Sequence, residues 1–540
     1  MALQRPFLYP VDTDQFEQIR NDGKVYIDKT DMIYDLVKKY RYVFLGRPRR
    51  FGKSLMCNTL HAYFDGKREF FDGLKIAELE TKWEKHPVLH FIMSRLKNCT
   101  IEEAKVILED YIASYEKVFG IAPKGGTPGS RFRRIIEEVA QKTGKGVVII
   151  LDEYDSPIMR LLHEPEQRDQ MRMILREFYQ VLKDEGQYIR FVFITGVTKF
   201  SQLSIFSELN NLKNISMLDE YSGICGITQE ELNTTLRPCV EEFADRIGDT
   251  TEAAYAMLKK QYDGYHFSPN SKDVYAPFSL LNSLNDGEIN NYWFESGTSA
   301  SLMEHLKHYN IKEVVGYDGI KLNASQFSIP CEDAETPLPL LYQSGYLSIE
   351  SYSKPLRLYT LHFPNEEVRN GMLNCLMPIM VGQTSLENDN LITSIISALL
   401  DGNLSQALAN MRAYIAKIPY DIITKEEWAD KEKRESFYKM LFYMVFSMVN
   451  SYVDCEVKSI LGRADVVIQT ATDVYILELK VDKSVEEALA QIDDRVYAIP
   501  WSADGRCITK CGVSISSEAR NITHWRITDA NGNILEETKF

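Results

Sequence analysis

The chain has 540 residues, of which 44% are hydrophobic and 26% are charged, as in ordinary globular proteins. This length predicts three or four domains with ample core. A formal net charge of −15 argues against nonspecific binding along nucleic acid, although it does not exclude a local nucleic-acid-binding site. Nine scattered cysteines, no apolar run of membrane-spanning length and no leader sequence predict a cytoplasmic protein without a membrane segment.

A candidate phosphate-binding loop follows a short apolar strand near the start of the chain. After ValPheLeu (43–45), the sequence reads GlyArgProArgArgPheGlyLysSer (46–54) and continues as an apolar helix to about residue 64. Strand, glycine-containing loop and helix in this order are the setting of a P-loop, whose amides and helix N-terminus hold phosphates. We expect Lys53 to reach the β- and γ-phosphates of ATP and Ser54 to bind Mg²⁺. The candidate nucleotide-binding residues here are Gly46, Arg47, Gly52, Lys53 and Ser54.

The loop departs from the usual P-loop spacing at one position. The usual pattern would place glycine at position 47, where the chain has Arg47, and Gly46 comes one position too early. Either the loop is wider than usual or arginine tolerates the turn. Residues 38–53 contain seven Lys or Arg and no acidic residue, although the whole chain is acidic. This local excess suits a polyphosphate, and the alternative is a basic surface loop.

A second apolar strand, residues 147–151, ends in two acidic residues. Its five consecutive apolar side chains predict a strand buried on both faces, as parallel sheets require. We expect Asp152 to hold the Mg²⁺ shell and Glu153 to polarise the attacking water. Residues 88–92 and 191–195 are further strand candidates, which bring the sheet to four strands. Thr195 would either sense the γ-phosphate or satisfy an amide at the strand end.

The N-terminal strings together resemble those of a bacterial AAA-ATPase-like family that occurs with small nucleases. The resemblance runs over roughly residues 5–240 and continues more weakly through the middle of the chain. It is carried by TyrIleAspLysThr (26–30), ArgProArgArgPheGlyLysSer (47–54), LeuAspGluTyrAsp (151–155), IleThrGlyValThrLysPheSer (194–201) and TyrAspGlyTyr (262–265). It implies that Arg47 is usual for the family. The departure from the general P-loop spacing therefore does not indicate loss of ATP binding.

The middle of the chain has a helical pattern and one predicted hairpin. Residues 229–267 are helical and resemble the lid that follows an ATPase core. Residues 338–363 predict a helix that ends at Gly345 and runs into a two-stranded hairpin. Helices followed by such a wing fit a winged-helix domain, and the family resemblance suggests the same. DNA contact and a purely structural bridge are equally open as its role.

The second candidate site lies in a predicted hairpin near the C-terminus. Two strand-like stretches, rich in β-branched and aromatic residues, flank a turn at residues 470–473. With that turn, Asp465 lies opposite Glu478, and Lys480 shares the face of Glu478. Opposed like charges are destabilising, so a cation between the carboxylates is indicated. A helix from Ser484 to about residue 497 would carry Gln491 beside the same site; the alternative is a surface hairpin with solvated charges.

The order Glu456, Gly462–Asp465, Glu478–Lys480 and Gln491 resembles the PD-(D/E)xK nuclease superfamily. The resemblance covers about the last ninety residues. It implies that Asp465 and Glu478 bind the metal, that Lys480 positions the attacking water, and that Glu456 and Gln491 support the site. A Mg²⁺ ion would lower the pKa of a bound water and screen the phosphate charge.

The sequence therefore predicts an α/β multidomain protein. We expect a P-loop NTPase domain with a parallel sheet at residues 1–235, a helical lid and winged-helix-like region at 236–370, a helical connector at 371–450, and an α/β PD-(D/E)xK nuclease-like domain at 451–540. The predicted partners are ATP with Mg²⁺ and DNA, with a homo-oligomer as an open option. The predicted catalytic residues are Glu153, Asp465, Glu478, Lys480 and Gln491.

Two alternative functions stay open at this point. From Tyr452 to the end there are ten Lys or Arg against fifteen Asp or Glu, a net charge of −5 without a basic stripe. DNA affinity would then have to come from the metal, another domain or an oligomer. The first alternative is an ATP-gated switch whose terminal domain binds a partner or DNA without cutting. The second is a transcription regulator that uses the winged helix.

Overall fold

The computed structural model describes residues 7–198, 211–309, 314, 317–331, 334–381, 385–418, 428–449, 465–470, 472–495, 501 and 505–540. The chain divides into two compact units. Unit 1 comprises Met1–Asn310 and Gly316–Arg369, and unit 2 comprises Ile311–Val315 and Asn370–Phe540. The predicted division into four domains stays a prediction. In the described part of the chain, no helix combines the length and the apolar character needed to cross a membrane.

Unit 1 contains a five-stranded parallel sheet in the order β2-β3-β4-β1-β5. Its strands are β1 (Tyr42–Gly46), β2 (Val88–Ile92), β3 (Val147–Asp152), β4 (Ile189–Gly196) and β5 (Lys213–Asn214). The four predicted strands are confirmed, and β3 is buried along its whole length, as its unbroken apolar run requires. Because β4 lies between β1 and β3, the carboxyl ends of all three strands meet at one edge of the sheet.

Helices before and between these strands cover the sheet. They are Phe16–Asn21, Thr30–Lys39, Lys53–Phe64 (the P-loop helix), Ile76–Leu79, Ile101–Phe119, Pro128–Thr143, Ser156–Met159 and Pro165–Asp184. Helix Ile101–Phe119 begins with a capping box, in which Thr100 and Glu103 satisfy each other's backbone amides. Phe91 of β2 packs against the stacked rings of Phe132 and Phe178, whose centroids lie 4.6 Å apart. This aromatic core fixes the helices on one face of the sheet.

The second half of unit 1 is helical with short antiparallel strands. Its elements are the strands β6 (Ile227–Thr228), β7 (Val274–Tyr275), β8 (Ile320–Leu322), β9 (Ser348–Ser353) and β10 (Leu358–His362), and the helices Gln229–Asn233, Arg237–Ile247, Thr251–Tyr262, Pro277–Asp286, Ser299–Leu306, Ala324–Phe327 and Leu338–Ser344. The helix predicted to end at Gly345 does so, and the predicted hairpin is formed by β9 and β10. Strand β8 pairs with β10 as a third strand that was not predicted. The winged-helix assignment stays a prediction.

Unit 2 combines helices with a five-stranded mixed sheet in the order β11-β12-β13-β14-β15. The helices are Glu366–Val381, which starts within unit 1, then Ser385–Leu400, Leu404–Ile415, Lys431–Val449 and Val485–Asp494; the strands are β11 (Val466–Gln469), β12 (Asp473–Val481), β13 (Cys507–Ser516), β14 (Asn521–Asp529) and β15 (Ile534–Lys539). Strand β12 pairs with β13 in parallel, whereas the other neighbours are antiparallel. Helix Val485–Asp494 lies between these two strands in the sequence, as a parallel crossover requires.

Within unit 1, the loop Arg47–Gly52 is held by residues far away in the sequence. The indole Nε1 of Trp293 donates a hydrogen bond to the carbonyl oxygen of Arg49, 3.0 Å away. The ring of Phe51 packs edge-on against that of Tyr265, with centroids 4.7 Å apart. Gly345, which ends its helix in the left-handed region at φ 89°, lies so close to Pro48 that an added Cβ would come within 2.6 Å of its ring. The second half of unit 1 therefore supports the P-loop directly.

We expect Gly345→Ala to destabilise unit 1 more than Gly248→Ala does. Both glycines end a helix in the left-handed region, which costs alanine about 1–2 kcal/mol. Only at Gly345 does the new methyl group meet Pro48, which adds about 1–3 kcal/mol of overpacking; at Gly248 it meets no described atom within 4 Å. Denaturant unfolding of both variants measures the difference. Equal losses would contradict this packing of the P-loop.

A buried carboxyl group also lies against this region and should make stability depend on pH. Glu367 is fully buried, and its Oε1 accepts the backbone N–H of Trp293 at 2.7 Å. Its Oε2 has no hydrogen-bond partner among the residues described. Burial raises the pKa of Glu367 to about 7. The folded state therefore binds this proton more tightly than the unfolded state, and the associated stability is lost as pH rises from about 4.5 to about 7.

We expect Glu367→Gln to remove the loss of stability with rising pH, because glutamine keeps the acceptor oxygen and cannot ionise. The stability of the variant relative to the natural chain should rise between pH 4.5 and pH 8 by up to about 3 kcal/mol. Denaturant unfolding at both pH values measures this change. The exposed Glu109→Gln substitution serves as the control, and a difference between Glu367→Gln and the natural chain that does not vary with pH would refute the assignment.

Candidate functional site

The P-loop reaches its shape through two left-handed residues. Arg50 has φ 66° and Gly52 has φ 83°, and the P-loop helix begins directly after Gly52. Left-handed residues that alternate with ordinary ones turn successive amides toward one concave side, which is the form of an anion-binding nest. Arg47 is not in the left-handed region. Position 47, where the usual spacing requires glycine, therefore does not need the conformational freedom of glycine in this chain.

The side chain of Arg47 is directed into the protein. Its guanidinium donates hydrogen bonds to the carbonyl oxygens of Gly46, Ser216 and Tyr221 at 2.9, 2.8 and 3.1 Å. It also lies over the ring of Phe267, 4.1 Å from the centroid. Burial lowers the pKa of Arg47 to about 10. The guanidinium thus ties the start of the loop to the segment after β5.

The predicted phosphate lysine is buried at the start of the P-loop helix. Lys53 is 5% exposed, and its Nζ donates hydrogen bonds to the carbonyl oxygens of Arg47 and Pro48 at 3.0 and 2.8 Å. Burial lowers the pKa of Lys53, while the negative charges of Asp152 and Glu153 oppose that shift. The ammonium group therefore faces both the loop backbone and the acidic end of β3.

The acidic end of β3 brings together the other predicted residues of this site. Asp152 is 2% exposed, and burial raises its pKa to about 6, against a hydrogen bond from Ser54 and the charge of Lys53. Oδ1 of Asp152 is without a hydrogen-bond partner in the described ranges. Glu153 follows with φ 52°, a left-handed conformation that costs a non-glycine residue about 1–3 kcal/mol and clusters at functional sites.

Two polar residues fix the strand ends around this group. Oγ1 of Thr195, at the end of β4, donates to the carbonyl oxygen of Leu45 at 2.8 Å, so its hydroxyl joins β4 to β1. Asp155 accepts the backbone N–H and the hydroxyl of Thr198, both at 2.6 Å. Asp155 was not predicted as a site residue, although it stands in the string that suggested Asp152. It locks the end of β3 to the segment that follows β4.

A cavity of about 600 Å³ opens at this edge of the sheet, within unit 1. Charged and imidazole side chains line it, among them Arg49, Lys97, Glu153, Arg160, His163 and His305. This volume lies in the range of ligand pockets in proteins. The cavity therefore places Glu153 beside a space large enough for a small ligand.

The basic run at residues 38–53 serves several purposes. Lys38 pairs with Glu80 at 3.0 Å, and Lys39 pairs with Asp35 at 2.8 Å, both away from the loop. These two ion pairs, together with the hydrogen bonds from Arg47 to carbonyl oxygens, account for much of the local excess of positive charge. The prediction that the whole excess serves a polyphosphate is therefore too broad. Arg49, Arg50 and Lys53 remain as the cations of the loop itself.

In unit 2, the structure confirms the predicted hairpin register. Val466 pairs with Leu477 and Gln469 pairs with Val474, which is the predicted alignment. Asp465 directly precedes the first paired residue, and its Oδ2 accepts the backbone N–H of Leu479 at 2.8 Å. This bond holds the carboxylate of Asp465 beside β12, where Glu478 lies.

Glu478 and Lys480 form the centre of the second site. Glu478 is fully buried, and its Oε1 accepts a hydrogen bond from Nζ of Lys480 at 3.0 Å. Its Oε2 finds no hydrogen-bond partner within the described part of the chain. Burial and then the charge of Asp465 raise the pKa of Glu478, against the opposing effect of Lys480. Nζ of Lys480 also donates to Oε1 of Gln491 at 2.6 Å, so the predicted amide reaches the site.

A lysine that was not predicted completes this group. Lys439, on helix Lys431–Val449, places its Nζ 3.0 Å from Oδ1 of Asp465 and 2.7 Å from Glu435. Although burial opposes the shift, these two carboxylates raise the pKa of Lys439 to about 12. The sequence signal was a Glu–Lys pair four residues apart on a helix, a spacing too common to identify a site. The predicted Glu456 and Gly462–Ala464 lie outside the described residues.

The predicted helix after β12 is also present. Ser484 is its N-cap and accepts the backbone N–H of Glu487 at 3.2 Å. The helix ends at Asp494, a few residues before the predicted end, and residues 496–500 lie outside the described part. Gln491 lies about one turn before the end of this helix, and its side chain contacts Lys480.

Comparison with known proteins identifies two domain families in the chain. Residues 10–206 match the family described as "Predicted AAA-ATPase", and residues 433–525 match the PD-(D/E)XK nuclease superfamily. The second match begins before residue 451 and includes Lys439. The chain is also 30% identical over 530 residues to an uncharacterized protein in the vnfD 5′ region of Azotobacter chroococcum mcd 1, with 95% of this chain and 97% of the relative covered. The chain therefore belongs to the family of predicted AAA-ATPases that carry a PD-(D/E)XK nuclease-superfamily domain near the C-terminus.

Proposed function

We propose that the chain is an ATP-hydrolysing P-loop protein whose C-terminal domain is a Mg²⁺-dependent nuclease acting on DNA phosphodiester bonds. The observation that carries the nuclease assignment is the unpartnered Oε2 of Glu478, considered over the described residues, on a fully buried carboxyl group beside Asp465. Two buried carboxylates in proximity disfavour each other's ionised form. A divalent cation that binds both reverses that penalty.

The donor set of unit 2 fits Mg²⁺. Carboxylate oxygens are the protein ligands that this hard cation prefers, and Asp465 and Glu478 would supply them. When bound, the ion would supply an acidified water and would screen charge on the phosphate. Nζ of Lys480 would orient the attacking oxygen by hydrogen bonding, held by Gln491 at 2.6 Å. Lys439 would hold the carboxylate of Asp465 in place through its 3.0 Å contact.

The donor set of unit 1 fits a nucleotide with Mg²⁺. Asp152 and Ser54 would hold the ion, which would supply positive charge to neutralise the phosphates. Nζ of Lys53 would exchange the carbonyl oxygens of Arg47 and Pro48 for phosphate oxygens, and the amides around Gly52 would hold the phosphates. Glu153 would orient the attacking water from the edge of the cavity. Arg47 and Thr195 would act as supports of the loop and the strand ends.

A second candidate is an ATP-gated switch whose terminal domain binds a partner or DNA without cutting. The ion pairs of unit 2 favour this switch. Lys439 and Lys480 already neutralise Asp465 and Glu478 without a metal ion. The net charge of −5 over residues 452–540 points the same way. Metal binding separates the two proposals, since a pure interaction domain has no reason to bind Mn²⁺ or Mg²⁺ at this group.

We expect Lys53→Ala to abolish ATP binding measurable by isothermal titration calorimetry in the presence of Mg²⁺. The substitution removes the ammonium group assigned to the β- and γ-phosphates, and ATPase activity should be lost with it. Lys105→Ala, at an exposed position of helix Ile101–Phe119, is the matched control and should bind ATP like the natural chain. Unchanged ATP affinity in Lys53→Ala would refute the nucleotide assignment.

We expect Glu478→Gln to reduce Mg²⁺-dependent DNA cleavage at least about 100-fold, since even residues that only support metal ligands cost about 10–100-fold. Linear, nicked, branched and single-stranded DNA are the substrates, with Mn²⁺ tested in parallel. Glu518→Gln, at an exposed position of the same unit, should cleave like the natural chain. If the natural chain cuts none of these substrates, the switch becomes the better proposal.

A further inference from the structure

We propose that Cys57, His90 and Asp152 form a binding site for a thiophilic divalent ion, with Zn²⁺ as the best match, beneath the P-loop. One ligand atom from each of the three side chains lies within 4.8 Å of the other two. The site is separate from the nuclease carboxylates, and its existence does not depend on ATP binding.

The fold brings these residues together from three elements. Cys57 lies on the P-loop helix, one turn after Lys53. His90 is the middle residue of β2 and is paired with Ile150 of β3. Because side chains alternate along a strand, Asp152 lies on the same face as Ile150, beside His90. The P-loop helix packs against this face of the sheet, so Cys57 lies next to His90 and Asp152.

Two buried polar atoms of the group lack hydrogen-bond partners among the residues described. Oδ1 of Asp152 and Nε2 of His90 are both buried and form no hydrogen bond within the described ranges. Cys57 is fully buried. Buried polar atoms in native proteins are nearly always satisfied, and an unsatisfied one suggests an ion or water that belongs there. Two such atoms beside a thiol point to a shared cation.

The backbone of His90 is held firmly at this point. The hydroxyl of Tyr115 accepts the backbone N–H of His90 and donates to its carbonyl oxygen, each at 2.7 Å. The imidazole is therefore anchored at its base on the sheet.

The chemistry of the donors selects the class of ion. A thiolate sulfur, an imidazole nitrogen and a carboxylate oxygen are the three protein ligand types of Zn²⁺. Mg²⁺ prefers oxygen ligands only, so the same group would not hold it well. Three protein ligands leave the fourth tetrahedral position for water or another ligand. Binding forms the metal–sulfur bond and releases the thiol proton to solvent.

Occupation of this site would interfere with the nucleotide site, and this consequence rests on the proposed function. Asp152 is the carboxylate assigned to the Mg²⁺ that accompanies ATP. A Zn²⁺ ion bound to Cys57 and His90 would withdraw that carboxylate. The expected result is inhibition of ATP hydrolysis by Zn²⁺ that excess Mg²⁺ relieves only slowly or at high concentration.

The test uses Co²⁺ as a spectroscopic probe on the reduced full-length chain without nucleotide. We expect the natural chain to show a thiolate-to-cobalt charge-transfer band that Zn²⁺ removes. Cys57→Ser should lose this band and bind one equivalent less of the ion. Cys225→Ser, which changes another buried cysteine of unit 1, is the matched control and should keep both. Nuclease-site binding does not interfere, because carboxylates give no such band.

A second variant keeps the test decisive if Cys57→Ser does not fold. His90→Gln retains the thiol and should weaken Co²⁺ binding at least about 10-fold, as loss of a ligand requires. Absence of the band in the natural chain, or its persistence unchanged in both variants, would overturn the proposal. Since no nucleotide is present, the result is independent of the ATP assay with Lys53→Ala.

Discussion

Carboxylates buried on apolar strands are the constraint on which both sites depend. Asp152 ends β3 in unit 1, and Glu478 lies within β12 in unit 2. Each is nearly inaccessible to water, and each has one oxygen without a hydrogen bond among the described residues. Burial disfavours the charged form, so the pKa of each is raised. Buried carboxyl groups with raised pKa values are enriched at functional sites, because alone they destabilise the fold.

The cations around these carboxylates are held just as closely. Lys53 is hydrogen-bonded to carbonyl oxygens of its own loop, and Lys480 bridges Glu478 and Gln491. The loop itself depends on Trp293 and Gly345 from the second half of unit 1. The P-loop segment is thus not an independent motif, since its position is determined by residues some hundreds of positions away in the sequence.

Local patterns predicted the parts of the molecule that local physics determines. The buried strand β3, the register of β11 with β12 and the N-cap at Ser484 all follow from periodicity and capping. Contacts between distant segments leave no such periodic signal. The direction of Arg47 toward carbonyl oxygens, and the approach of Lys439 to Asp465, depend on how separate elements pack, and the sequence alone did not predict either.

The contact between Lys439 and Asp465 has a practical consequence for dissecting the protein. Helix Lys431–Val449 stands before the hairpin motif, so a fragment cut at residue 451 would discard the ammonium that neutralises Asp465. In such a fragment Lys480 would still pair with Glu478, whereas Asp465 would lose its contact with Lys439. A recombinant fragment intended to work alone should therefore begin upstream of residue 431, and an inert shorter fragment would say nothing about the activity of the full-length chain.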